Sequence, residues 1–159
     1  MKPDNTGGTE PLRSHAAGDD SFSVTDRLAV INLINSYGYY VDELQMDNFF
    51  SLFSDVPTVE FWQGATLITA GWESFRESAI SRQEVFKREQ IQRRHVLSAP
   101  RFERQGSDAL SGHVYLQLYK AHMGTISLVT MGYYTFTAIR QRGEWKLDRW
   151  IARVDAMPD

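Results

Sequence analysis

The chain contains no cysteine among its 159 residues, which excludes disulfide bridges, thiolate metal sites and a cysteine nucleophile. It also lacks a basic surplus, since 17 Lys and Arg against 20 Asp and Glu give a formal net charge of −3. That balance argues against a nucleic-acid-binding protein. The apolar runs are too short for a membrane-spanning helix, and the N-terminus has no apolar segment typical of a secretory signal. We therefore expect a cytoplasmic protein that binds neither nucleic acid nor membrane.

Known cofactor and nucleophile motifs are missing as well. The sequence has no glycine-rich phosphate loop, no G-x-S-x-G and no His, Asp or Glu cluster at metal-ligand spacing. We expect neither a cofactor nor a metal. Hydrophobic residues at 42% and aromatic residues at 13% are too frequent for a disordered chain. Residues 1–22, rich in Gly, Pro, Asp, Ser and Thr, are predicted to form a flexible tail, and residues 23–159 a single domain.

The periodicity of the apolar residues changes along the chain. Ser23 is a suitable N-cap for a helix from Val24 to Leu44, with Asp26 completing a possible capping box. The further predicted elements are a short helix from Asp47, strands at 58–62 and 65–70, a helix at 74–89, and strands at 92–104, 109–120, 126–140 and 144–155. Helices followed by a long antiparallel sheet indicate an α+β domain with the helices packed on one face of a curved sheet.

Two ionisable residues fall on apolar faces of these elements. Asp42 lies within the apolar arc of the first helix, an arc formed by Leu28, Ile31, Leu33, Ile34, Gly38 and Val41. On the sheet, pairing Arg104 with Ala109 across the 105–108 turn predicts the register. His95 then faces Leu118, Leu97 faces Leu116 and Ala99 faces Val114, all on the inner face. His113 points outward, and His122 falls in a loop.

A buried carboxylate is costly without a partner, and a neighbouring imidazole would supply one. Asp42 would then accept a ring N–H of His95 and hold the tautomer in which the other nitrogen is free to act as a general base. The alternative is structural: Asp42 bonds the next turn of backbone, and His95 is a satisfied core histidine. The run Lys87, Arg88, Arg93 and Arg94 is interpreted as a solvated face, and the tryptophans as core packing.

Four segments in order resemble a known family. They are IxLIxxYxxxxD (Ile31 to Asp42), DNFFSLFSD (Asp47 to Asp55), RRHVLS (Arg93 to Ser98) and GEWKLDRW (Gly143 to Trp150). Together they resemble the SnoaL-like branch of the nuclear transport factor 2-like (NTF2-like) superfamily, and within it scytalone dehydratase and the hexachlorocyclohexane dehydrochlorinase. The resemblance implies a cone-shaped α+β fold that encloses a pocket.

The resemblance also implies roles for residues. In those enzymes a His on the first long strand removes a proton, and an Asp at the end of the first helix supports it. His95 and Asp42 occupy the matching places. The second pocket His of scytalone dehydratase has no match, because His113 faces outward. Its tyrosine pair has several candidates: Tyr37, Tyr39, Tyr40, Tyr133 and Tyr134. Proton abstraction is therefore a firmer expectation than dehydration.

From the residues and the resemblance we expect a cofactor-independent lyase or isomerase of the dehydratase, cyclase or elimination type. It would act on a small hydrophobic molecule, such as a natural-product intermediate, with His95 and Asp42 as catalytic residues. The predicted substrate-binding residues are Tyr37, Phe53, Trp62, Phe86, Leu97, Val114, Leu116, Tyr134 and Trp150. We expect a cavity of roughly 300–1,000 Å³ and a homodimer or homotrimer formed through the outer face of the sheet. The alternatives are a non-catalytic binding module and a small structural subunit of an oxygenase.

Overall fold

The computed structural model describes residues 12–14 and 16–156. In chain order the elements are β1 (Arg13–Ser14), α1 (Val24–Asp42), α2 (Met46–Ser51), β2 (Phe53–Gln63), β3 (Thr66–Ala70), α3 (Trp72–Glu89), β4 (Gln92–Gln105), β5 (Ala109–His122), β6 (Thr125–Gln141) and β7 (Glu144–Val154). Every predicted helix and strand is present, and most boundaries lie within about two residues of the prediction; β2 starts five residues earlier, at Phe53.

The first helix begins where the sequence predicts. The Ser23 hydroxyl accepts a hydrogen bond from the Asp26 backbone N–H at 3.2 Å, which satisfies one free donor of the first turn. The helix ends at Asp42, two residues before the predicted Leu44, which takes a positive φ of 57°. The predicted apolar arc is wrong at Leu28, which is 60% exposed. The buried face consists of Val30, Leu33, Ile34, Tyr37, Gly38 and Asp42.

The strands form one seven-stranded sheet in the order β1-β4-β5-β6-β7-β2-β3. All neighbours are antiparallel except β2 and β7, which run parallel. Helix α1 packs on β4 and β7, and α3 packs on β2 and β3. The helices thus lie against the sheet as the α+β prediction requires, and the apolar core lies between the two layers.

The register of β4 against β5 is correct for the part that carries His95. His95 pairs with Leu118 and Leu97 with Leu116, as predicted. The prediction is wrong at Ala99, which does not pair with Val114, because the register shifts between Ser98 and Arg101. Ala99 takes a positive φ of 50° and is exposed rather than inward-facing. Such a bulge strengthens the local bend of the strand.

A second register shift separates Phe102 from Arg104, and at the turn Arg104 pairs with Ser111 instead of Ala109. The two bulges together displace the turn by two residues relative to the pairing at His95. The assumed turn pairing was therefore wrong, although the register that it predicted for His95 is correct.

The last strand is buried on both of its faces near its end. Trp150 is 1% exposed and belongs to the core cluster, whereas Arg149 points to solvent. Ile151 is 2% exposed but lies outside that cluster. Because both faces of the strand are covered here, apolar residues occur at odd and at even positions of β7.

Two features near the strand ends differ from the sequence prediction. Arg13 and Ser14, within the range predicted as a tail, pair with Gln105 and Arg104 at the edge of the sheet. His122 closes β5 opposite Thr125 instead of lying in a loop. Residues 1–11, His15 and residues 157–159 lie outside the described residues. Within the described part, none of the helices combines the length and the apolar character that crossing a bilayer needs.

Candidate active site

A cavity of about 330 Å³ lies between α1, α3 and the inner face of the sheet. This volume is within the range expected for small-molecule sites. Its wall is mostly aliphatic and aromatic, and the ionisable side chains in it are Tyr37, Asp42, Glu60, Arg82, Arg93, His95 and Tyr134. A cavity of this volume with a mostly apolar wall and a few polar groups favours a ligand-binding role.

Asp42 and His95 meet at one end of this cavity. The Asp42 Oδ1 atom lies 2.6 Å from His95 Nδ1, and Asp42 Oδ2 accepts the His95 backbone N–H at 2.6 Å. Their side chains are 6% and 12% exposed. An ionised carboxylate has no proton to give, so Nδ1 carries the proton and donates it to Asp42. Nε2 is then the nitrogen with a free lone pair, and the imidazole can accept a proton there.

Glycine at position 38 allows this contact between helix and strand. A Cβ added at Gly38 would lie 3.2 Å from the Cβ of His95 and 3.4 Å from its carbonyl oxygen. A Cβ at this position would force His95 or the helix to shift by a few tenths of an ångström, so glycine lets α1 approach β4 without strain. The nearest atoms that the missing side chain accommodates belong to His95.

Three aromatic rings form the wall beside His95. The Tyr37 ring lies edge-on to the imidazole with centroids 6.0 Å apart, and it contacts Tyr134 and Trp150 at 5.5 Å and 4.6 Å. Burial raises the pKa of the Tyr37 phenol, and burial followed by the neighbouring Tyr37 raises that of Tyr134 well above its usual value. Both phenols therefore remain neutral, and each has an O–H that can donate a hydrogen bond.

Five of the nine predicted substrate-binding residues line the cavity: Tyr37, Phe86, Leu116, Tyr134 and Trp150. The remaining four do not, and each has a physical reason. The Phe53 ring is buried among aromatic side chains, 4.9 Å from Trp72. The Trp62 indole bonds Glu60 at 2.7 Å and lies under the guanidinium of Arg153.

Leu97 and Val114 are covered by other parts of the fold and do not line the cavity. Leu97 is covered by α1, with its Cδ1 atom 3.6 Å from the position of a Cβ on Gly38. Val114 is 1% exposed and belongs to the packed core cluster. Both share the inner face with His95, as predicted, but α1 covers Leu97 and the packed core covers Val114.

The sequence interpretation missed the cationic part of the wall. Arg93, assigned to a solvated face, lines the cavity and lies 4.9 Å from the centroid of the Phe86 ring. Burial lowers the pKa of its guanidinium, and the charge of Arg82 lowers it further. Strand alternation could have found it, because Arg93 and His95 are two residues apart and share one face of β4. The solvated interpretation holds for Arg94, which is exposed and bonded to Glu43.

The other described histidine–carboxylate pair lies outside the cavity. His113 Nδ1 is 3.0 Å from Glu103 Oε1, on the outer face of the sheet as predicted. Among residues 12–14 and 16–156, no three His, Asp or Glu side chains are grouped closely enough to hold a metal ion.

Comparison with known proteins identifies the family and the fold of this chain. A model of the SnoaL-like domain matches residues 23–151. Three proteins of Novosphingobium aromaticivorans, two of them from strain DSM 12444, have similar structures. A candidate scytalone dehydratase has a TM-score of 0.70 at 15% identity, covering 86% of this chain and 88% of its own. The β subunit of a candidate aromatic-ring-hydroxylating dioxygenase gives 0.69 at 15%, covering 84% and 92%.

The third protein, an NTF2-like protein with a cystatin-like fold, gives 0.67 at 14% identity and covers 82% of each chain. At these identities the likeness shows the fold alone. No curated protein matches the sequence. The family match covers most of the chain, including both members of the Asp42–His95 pair. The chain belongs to the SnoaL-like domain family and has an NTF2-like, cystatin-like fold.

Proposed function

We propose that the protein is a cofactor-independent lyase or isomerase in which His95 removes a C–H proton from a small hydrophobic molecule. The observation that carries the proposal is the Asp42–His95 contact of 2.6 Å at the wall of an apolar cavity. A structural histidine needs no cavity, whereas a general base needs space for a carbon acid beside its free nitrogen. Asp42 does not touch the substrate in this mechanism, and it acts as a positioning residue.

The proposed step begins with the C–H proton moving to Nε2 of His95. The electron pair of that bond forms a carbon–carbon double bond. Either the bond to a leaving group breaks and the group departs with its electrons, or an adjacent double bond of the substrate opens and its far carbon takes the proton back from His95. The first outcome is elimination, and the second is isomerisation. The imidazolium formed on His95 is stabilised by the Asp42 carboxylate, as in the logic of the serine-protease triad.

Negative charge builds up on the substrate during proton removal, and the aromatic wall offers neutral donors for it. The O–H groups of Tyr37 and Tyr134 stay protonated because burial raises the pKa of both phenols. The Tyr134 hydroxyl donates to the Tyr37 oxygen, which leaves the Tyr37 O–H as the group able to donate a hydrogen bond to the oxygen of an enolate. The resemblance to a candidate scytalone dehydratase is consistent with this chemistry.

A carbon-acid probe tests the proposal before the natural substrate is known. We suggest 5-nitro-1,2-benzisoxazole, whose C3–H removal breaks the N–O bond and releases a coloured phenolate. We expect the native protein to accelerate this reaction, and His95→Ala to lower the rate by about 10²- to 10⁴-fold. The matched control is His113→Ala, which removes the histidine of the outer pair and leaves the cavity intact.

Removing the imidazole leaves Asp42 as another base, so a second variant is needed. In His95→Asn the side-chain amide nitrogen takes the place of Nδ1 and donates to Asp42, so the carboxylate stays paired. A rate that falls in both variants, with unchanged circular dichroism, supports the role of His95. Equal rates in native protein, His95→Asn and His113→Ala would exclude it.

One feature favours a second candidate, a structural subunit of an oxygenase. Val96, Tyr115, Met131 and Tyr133 form an exposed apolar patch on the outer face, and Tyr115 pairs directly with Tyr133. Patches of this kind mark protein interfaces. A similar structure is the β subunit of a candidate dioxygenase. A subunit of that kind has no need of a reactive cavity, so inactivity of the native protein toward every carbon-acid probe would favour this candidate.

A further inference from the structure

We infer that the cavity binds an organic anion, with its apolar body against the aromatic wall and an oxyanion facing Arg93 and Arg82. This inference rests on the proposed function in taking the same cavity as the substrate site, and it names the chemical class of the ligand.

The first observation is the state of the Arg93 side chain. Its guanidinium lies over the Phe86 ring, and its Nε and Nη1 atoms are buried without a hydrogen-bond partner in the described part of the chain. No carboxylate among residues 12–14 and 16–156 forms an ion pair with it. Buried cations are almost always paired, because removing a charge from water is costly. A permanently charged group that lines a cavity, with two buried nitrogens that lack a hydrogen-bond acceptor, therefore points to an anion that arrives from outside.

The second observation is a second arginine in the same wall. Arg82 projects from α3 into the cavity lining, with Nη1 bonded to the Ser78 hydroxyl at 2.8 Å. Arg82 is exposed to solvent, so it lies at the open side of the cavity, and its charge still lowers the pKa of Arg93. At Arg93 the unfavourable effect of Arg82 exceeds the favourable effect of Asp42. An anion between the two arginines would reverse this repulsion.

The carboxylates in the wall do not serve as that partner. Both Asp42 oxygens are occupied by His95, through the backbone N–H and Nδ1. Glu60 accepts the Trp62 indole N–H at 2.7 Å and is absent from the charges that act on Arg93. The oxygens of Asp42 and the Glu60 Oε2 atom thus have other hydrogen-bond partners, and neither carboxylate forms an ion pair with Arg93.

The position of Arg93 connects recognition with the proposed chemistry. Arg93 and His95 are alternate residues of β4, so their Cα atoms lie about 6.6 Å apart on one face. A single small molecule can therefore reach both side chains. Planar guanidinium groups match the two oxygens of a carboxylate, and an enolate or phenolate oxygen fits the same donors. The apolar remainder of the ligand would pack against Phe86, Leu116, Leu118, Tyr134 and Trp150.

The test compares carboxylates with neutral amides of nearly the same shape. The probes are benzoate and benzamide, trans-cinnamate and trans-cinnamamide, and 1-naphthoate and 1-naphthamide. Isothermal titration calorimetry at pH 8 and low salt measures their dissociation constants. We expect at least one carboxylate to bind the native protein about tenfold or more tightly than its amide, as charge-assisted hydrogen bonds require. Added salt should weaken binding of the carboxylate alone.

Variants then assign the preference to the two arginines. Arg93→Gln should reduce the carboxylate preference to about twofold or less, Arg82→Gln should reduce it in part, and Arg93→Lys should retain part of it. The control is Arg94→Gln, the neighbouring arginine on the opposite face, which should keep the native preference. Thermal unfolding of each variant checks that it is folded.

The native protein alone can overturn the inference. If no carboxylate binds more tightly than its amide, including the case in which none binds, the cavity is not an anion site. A preference that survives in both Arg93→Gln and Arg82→Gln would also overturn it. His95→Asn separates this inference from the proposed function, because the variant should lose turnover of the benzisoxazole probe and keep the carboxylate preference.

Discussion

Replacing Asp42 by asparagine tests how the carboxylate acts on His95. The native carboxylate accepts two hydrogen bonds from one residue, the backbone N–H and Nδ1–H of His95, both at 2.6 Å. An amide has only one oxygen. If that oxygen accepts Nδ1–H, the NH₂ group points at the backbone N–H of His95. Both groups are donors, so this second hydrogen bond is lost. If the oxygen accepts the backbone N–H, the NH₂ group donates to Nδ1 and both contacts survive.

The second arrangement is the favourable one, because an unsatisfied buried donor costs about 1–3 kcal/mol. It forces the His95 proton from Nδ1 to Nε2, and the nitrogen that faces the cavity can no longer act as a base. The same substitution in the serine-protease triad costs about 10⁴-fold in rate through the wrong tautomer. We expect a loss of about 10³- to 10⁴-fold with the benzisoxazole probe. The free energy of unfolding should fall by only about 1–3 kcal/mol, since both hydrogen bonds persist without charge.

Long-range ¹⁵N–¹H correlation spectra of the imidazole measure the tautomer directly. We expect Nδ1–H in the native protein and Nε2–H in Asp42→Asn, with the His95 signals assigned by their absence in His95→Asn. Asp47→Asn is the control, because Asp47 is an exposed acid on α2. If Asp42→Asn keeps Nδ1–H and the native rate, our account of the pair is wrong.

Three further predictions concern the surroundings of the site. Gly38→Val should cost about 1–3 kcal/mol of stability and a larger share of activity, because its Cβ lies 3.2 Å from that of His95; thermal unfolding and probe turnover measure both, and Gly38→Ala should be milder. Burial raises the pKa of the Tyr134 phenol, so the stability that this contributes is complete below about pH 10, where the phenol ionises in the unfolded chain, and is lost as the pH rises through the higher folded pKa. Urea unfolding should show Tyr134→Phe losing less stability than the native protein above pH 10. We also expect a homodimer or homotrimer through the outer face, which Tyr115→Lys combined with Met131→Lys should dissociate in sedimentation velocity; a native monomer would contradict this.

Periodicity predicted every helix and strand except the two-residue strand β1, which has no apolar residue to form a pattern. It also predicted the inward direction of His95, since alternation along a strand leaves only two choices of face. The bulges at Ala99 and before Arg104 were not predictable, because a register shift depends on how two strands fit together and leaves no periodic signal.

It was harder to predict which residues line the cavity than to predict which residues lie on the inner face of the sheet. Leu97 and Val114 share the face of His95, but how far α1 lies from the sheet decides which residues of that face remain uncovered. Arg93 was assigned to solvent from its charge, although its parity on β4 equals that of His95. The charge of Arg93 predicted a position in solvent, whereas strand alternation predicted the inner face, and the inner face is correct.

The most direct test of the central claim is deuterium uptake by a carbon acid that has no leaving group. In 1-indanone only removal and return of a proton can occur, so uptake of solvent deuterium at the α-carbon, followed by ¹H NMR in D₂O, isolates the step assigned to His95. We predict that the native protein and His113→Asn accelerate the exchange, and that His95→Asn lowers the rate by about 10²-fold or more. Exchange at the same rate in native protein and His95→Asn would contradict the account.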